Sequence, residues 1–142
     1  MQILAQSLVV ISAGIILSLG LLHLLFTYAG NKFHPRDAEV LARLREAPLV
    51  ITRQTTVWRA WIGFNASHSL GAMLFGAMYA YLALQQPAML FDSVFLGTIG
   101  LAALGSYLVM AKLYWFRIPF RGISLALSLY IAGFALAHSP AA

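Results

Sequence analysis

From Ile3 to Tyr28 the chain carries no charged side chain. That run is longer than the roughly 20 apolar residues a helix needs to cross the hydrocarbon core of a bilayer. Lipid offers no partner to a backbone N–H or C=O, so the segment must satisfy its own polar groups, and a helix does so. The run is too long for the apolar core of a secretory leader. Met1 and Gln2 bring no positive charge, and no small-residue cleavage pattern follows, so a permanent membrane helix is expected.

The rest of the chain fits the same solvent. Hydrophobic residues make up 61% of it and charged residues 9%, against about 25% charged in an ordinary soluble domain. The mean hydropathy is +0.84. A net charge of +5 would suit nucleic acid only on a water-soluble surface with groove-reading elements. Here the basic residues flank apolar spans, so anionic lipid headgroups are the expected partner and nucleic acid is not. The chain has no cysteine, which removes disulfides, thiolate ligands, iron–sulfur sites and thiol catalysis.

Composition changes sharply from Gly30 to Thr56, where Lys32, Arg36, Arg43, Arg45 and Arg53 accompany Asp37, Glu39 and Glu46. Within this loop Pro35 to Ala47 reads as a short amphipathic helix. Asp37 and Glu39 lie near its positive end, Arg43 and Arg45 near its negative end, and Pro48 ends it. It either lies in the headgroup layer or covers one end of the protein. A second span, about 57–84, opens with Trp58, Arg59 and Trp61, residues suited to the membrane interface. Gln85, Gln86 and Pro87 break it, and a tight turn through Asp92 leads to a third span, about 93–111. Lys112, Tyr114, Trp115 and Arg117 form a further interfacial belt. Pro119 and Arg121 then precede a short fourth span, about 122–138.

The expected fold is all-α: a single domain over residues 1–142, an antiparallel bundle of four transmembrane helices joined by short connections. Every Lys and Arg falls either between span one and the first turn of span two or between spans three and four. The excess of positive charge marks the cytoplasmic side, so both termini are expected outside. Small residues should let the helices approach closely. Gly63, Ser67 and Gly71 recur every fourth residue on span two, as do Ala72, Gly76 and Ala80. Gly97, Gly100 and Gly105 on span three and Ser124 and Ser128 on span four offer matching flat surfaces.

The densest polar feature inside a span is Asn65-Ala66-Ser67-His68-Ser69. Asn65, His68 and Ser69 are spaced i, i+3 and i+4 and share one helix face. His23 on span one lies roughly 9 Å from the cytoplasmic end, and Asn65 and His68 about 12 and 16 Å from it, at 1.5 Å per residue. The cluster reads in two ways. Intramembrane histidines can hold a metal or haem or relay protons. Alternatively, His23, Asn65 and His68 satisfy one another by interhelical hydrogen bonds. Trp58, Arg59 and Trp61 read either as an anchoring belt or as a contact for a lipid phosphate. His34 and His138 lie in a loop and at the opposite end.

Other chemistries lack their parts. Asp37, Glu39, Glu46 and Asp92 all lie outside the spans, so the buried carboxylate of a proton-coupled small multidrug exporter is missing. Two histidines without an acid or thiolate fall short of a zinc site. A Ser–His hydrolase needs an orienting acid.

The run Thr-x-x-Trp-Arg-Ala-Trp-x-Gly-Phe-Asn-x-Ser-His-Ser, positions 55 to 69, resembles the signature of a family of short, uncharacterised bacterial four-helix membrane proteins. The resemblance extends through most of the chain, His23 included. It implies residence in the bacterial inner membrane and draws attention to Asn65 and His68, and it carries no activity. Three functions stay open: a non-enzymatic partner or accessory subunit, including a homo-oligomer; a haem or redox-cofactor binder with His23 and His68 as axial ligands; and a binder of a lipophilic small molecule.

Overall fold

A computed structural model of the chain describes residues 1–139; the expected placement of the extreme C-terminus lies outside the described residues. Six helices follow in order: α1 (Gln2–Tyr28), α2 (Ala38–Glu46), α3 (Val57–Gln85), α4 (Pro87–Asp92), α5 (Val94–Tyr114) and α6 (Arg117–Ala137). A two-stranded antiparallel hairpin, β1 (Pro48–Leu49) and β2 (Thr52–Thr56), sits between α2 and α3. Helices α1, α5 and α6 are long and apolar enough to cross a membrane. Helix α3 is longer still at 29 residues, but its run from Asn65 to Ser69 lowers its apolar density below that of the other three.

The chain divides into two compact units, Met1–Leu19 with everything from Ala72 onward, and Gly20–Gly71. In the first unit, α1 buries Ala5, Val9, Ala13 and Ile16, a stripe at helical spacing. Gly133 of α6 faces Ala5 and Val9, the Ser12 hydroxyl donates to the Ala126 carbonyl at 2.7 Å, and Gly122 faces Leu19. These pairs run in opposite senses along the two helices, so α1 and α6 are antiparallel. Gly76 of α3 lies against the backbone of Ala13 and Leu17, where an added Cβ would come within 2.7 Å of backbone atoms. Gly100 of α5 accommodates the rings of Tyr130 and Tyr79. The Tyr79 hydroxyl donates to the Leu96 carbonyl at 2.8 Å and the Tyr130 hydroxyl to the Gly97 carbonyl at 3.1 Å, so both buried phenols are satisfied.

The second unit holds the end of α1, the loop, α2, the hairpin and the start of α3. Gly30 adopts φ 84°, the left-handed conformation that lets a chain leave a helix. Asp37 caps α2, its carboxylate accepting the Glu39 N–H at 2.8 Å. Thr56 caps α3, its hydroxyl oxygen accepting the Arg59 N–H at 3.3 Å. The hairpin closes through Val50 and Ile51, both fully exposed.

Several expectations change. Helix α2 starts at Ala38, not Pro35, because the Asp37 cap defines its first turn. The turn after span two contains the helix α4, opened by Pro87 and burying Leu90 and Phe91. Helix α6 begins at Arg117 and takes Pro119 into its first turn, where a missing N–H costs no hydrogen bond. Its 21 residues give about 31 Å, so this helix is not short. The stripe of Gly63, Ser67 and Gly71 is exposed, with no atom of another element within 4 Å of a Cβ built on Gly63, and Gly105 is equally open. Of the two serines expected to offer flat surfaces on span four, Ser124 is half-buried and Ser128 exposed, and each donates to a carbonyl of its own helix, Phe120 and Ser124 respectively.

Candidate functional site

Two helices and one loop of the second unit build the polar cluster. Asn65 and Ser69 are buried, at 6% and 0% exposure, and His23 and His68 are half-buried. The Asn65 amide nitrogen donates to the Trp61 carbonyl at 2.8 Å. A carbonyl only accepts, so Oδ1 of Asn65 is the atom turned to His23 Nε2, 2.9 Å away. Asn65 Oδ1 also only accepts, so His23 Nε2 carries the proton and donates it. The Asn65 side chain thereby sets the histidine tautomer. Thr27 donates to the His23 carbonyl at 2.7 Å and Ser69 to the Asn65 carbonyl at 2.8 Å, which ties both hydroxyls to their own helices.

Rings close the cluster. His68 meets His23 edge to face with centroids 5.4 Å apart, Phe64 stacks parallel to His68 at 6.4 Å, and Phe33 tilts over His23 at 4.6 Å. A haem held by two imidazoles lies between them, with one nitrogen of each aimed at the iron. Here His23 Nε2 is engaged by Asn65, and the two rings touch with no gap for a macrocycle. The arrangement does not fit an axial pair, and among the described residues no three His, Asp or Glu side chains gather as metal ligands. Asp37, Glu39, Glu46 and Asp92 are exposed. The Ser67 hydroxyl donates to the Phe64 carbonyl at 3.0 Å, so no serine–histidine pair forms through it. What the geometry does is join α1 to α3 through the His23–Asn65 hydrogen bond.

At the start of α3 the interfacial residues separate. Trp58 is half-buried, with the Arg45 guanidinium 6.0 Å over its ring and the His34 ring edge-on at 5.0 Å. Arg59 and Trp61 are exposed. Lys32 lies 6.0 Å over the Phe26 ring. The sequence reading did not include Arg45, Phe33 or His34 in a site. Their contacts depend on how α2 and the hairpin reverse the chain, and no spacing in the sequence signals that.

The first unit carries a cleft of about 460 Å³, lined by Phe91, Gly97, Thr98, Tyr130, Phe134 and His138 among others. The His138 ring bonds the Phe134 carbonyl through Nδ1 at 2.8 Å. The cleft contains none of the residues of the His23 cluster. Comparison with protein-family models, with curated proteins and with solved structures finds no match to this chain.

Proposed function

We propose that the chain is a non-enzymatic four-span protein of the bacterial inner membrane, with its basic loops cytoplasmic and both termini outside, and that it acts as a partner or accessory subunit of a membrane assembly. In this reading α3 is the fourth span, the His23–Asn65–His68 cluster clamps α1 to α3, and the family resemblance of positions 55 to 69 belongs to the same proposal. The observation that carries the reading is the open face of Gly63, Ser67 and Gly71. Helix contacts in lipid rest on van der Waals packing at small residues, because lipid tails are as apolar as leucine and supply no hydrophobic drive. The partner is either a second copy of the chain or another membrane protein.

The test is gentle purification in an uncharged detergent, followed by crosslinking and mass determination. The expected result is a complex larger than the monomer that is lost in Gly63→Leu and in Gly71→Leu while the helical content stays unchanged. A wild-type monomer with nothing bound would end the partner reading. The cleft beside Phe134 favours a second reading, binding of a lipophilic small molecule: its volume lies within the about 300–1,000 Å³ of ligand pockets and its lining is mostly apolar. An organic extract of the same preparation separates the two, since a single enriched compound would favour the ligand.

A further inference from the structure

We propose that His34, Arg45 and Trp58 form a binding site for the phosphate of an anionic phospholipid. This rests on the reading that α3 enters the bilayer at its N-terminal end. Three elements bring the residues together: the loop supplies His34, α2 supplies Arg45 and α3 supplies Trp58. The half-buried Trp58 ring is the floor, with the guanidinium 6.0 Å above it and the imidazole edge 5.0 Å away.

Among the described residues no carboxylate lies within ion-pair distance of the Arg45 guanidinium. Asp37 accepts the Glu39 N–H, and Glu39 pairs with Arg43 at 3.4 Å. The exposed guanidinium stands 6.0 Å from the ring, which leaves its N–H groups open to solvent, where two can take two oxygens of one phosphate. His34 adds a ring N–H donor. The positive end of the α3 dipole adds to the same local potential, as does exposed Arg59 in its first turn. Each element alone would be ordinary. Together they place a cation without an ion-pair partner among the described residues, a donor and a helix N-terminus around one tryptophan, at the end of α3 that the proposed reading puts at the membrane interface.

A phosphate could also arrive as a free anion. The lipid is the source proposed, because an aromatic floor at a membrane interface gives the glycerol and upper acyl region an apolar contact that inorganic phosphate lacks. The experiment is native mass spectrometry of the full chain in an uncharged detergent, titrated with short-chain phosphatidylglycerol, with short-chain phosphatidylcholine and with inorganic phosphate. Phosphatidylglycerol should bind as a discrete adduct at lower concentration than phosphatidylcholine, and inorganic phosphate should not displace it. Arg45→Gln should weaken that binding about fivefold, the effect of about one surface cation. Trp58→Leu should weaken it too, and Arg53→Gln on the exposed hairpin should leave it unchanged.

Equal binding of the two lipids, an unaltered affinity in Arg45→Gln, or displacement by inorganic phosphate would each overturn the proposal. Arg45 is exposed, so its substitution does not threaten the fold, and circular dichroism checks Trp58→Leu. Alkaline extraction of membranes tests the underlying reading separately. Release of the chain would remove the membrane assignment itself, whereas a retained chain without lipid preference would remove only the site.

Discussion

Asn65 is the residue on which the polar cluster depends. It is 6% exposed, accepts from His23, donates to the Trp61 carbonyl, and offers its own carbonyl to Ser69. Hydrogen bonds between helices in lipid average about 0.6 kcal/mol with a maximum near 1.7, because chains unfolded in the membrane also find partners. Asn65→Ala removes the bond to His23 and leaves the Nε2–H without its acceptor, so it should cost about 1–2 kcal/mol in reversible unfolding in detergent. Unchanged stability would mean that the bond contributes nothing. Nitrogen NMR gives an independent check, since the geometry requires His23 as the Nε2–H tautomer and observation of the Nδ1–H form would contradict it. At this scale, much of the cluster was legible in advance: the i, i+3, i+4 spacing set Asn65, His68 and Ser69 on one face, and depth along the span set His23 beside them. Phe33 and His34 were not legible, because a loop residue carries no periodicity that says which ring it will meet.

At the scale of elements, glycines divide α3 into two regimes. An added methyl at Gly76 would collide with the Ala13 and Leu17 backbone, which cannot yield, whereas one at Gly63 meets open space. Gly76→Ala should therefore destabilise by about 1–3 kcal/mol, the usual cost of overpacking, while Gly63→Ala should leave unfolding in detergent unchanged or slightly favourable. Similar losses in both variants would contradict this division. A small-residue repeat says that a helix can be approached closely and leaves open which neighbour does so. That is why the sequence treats Gly63-Ser67-Gly71 and Ala72-Gly76-Ala80 alike and the structure does not. Helix ends were displaced for a related reason. Pro119 reads as a break, yet in the first turn of α6 it removes only an N–H that no helical carbonyl would have accepted. The hairpin was missed because its tip, Val50-Ile51, has none of the glycine or asparagine that marks a two-residue turn.

At the scale of the whole molecule the prediction concerns topology. The nine Lys and Arg residues all fall in the two stretches proposed to be cytoplasmic. Reporters active only in the cytoplasm should therefore be silent at either terminus and active when inserted at the exposed Val50-Ile51 tip. Activity at a terminus would reverse the orientation.

The sequence by itself determined that this chain carries helices long and apolar enough to cross a membrane, that its charged groups collect mainly in one long loop, and that Asn65, His68 and Ser69 share a helix face. Composition and helical periodicity are properties of the chain alone, and they suffice for that. Only the tertiary structure decided that Asn65 sets the His23 tautomer, that Arg45 lies over Trp58, and that one small-residue face of α3 is packed while the other is open. Each of these depends on which surfaces meet once the chain reverses direction, and close packing is specified by shape at contact, which a one-dimensional pattern does not contain.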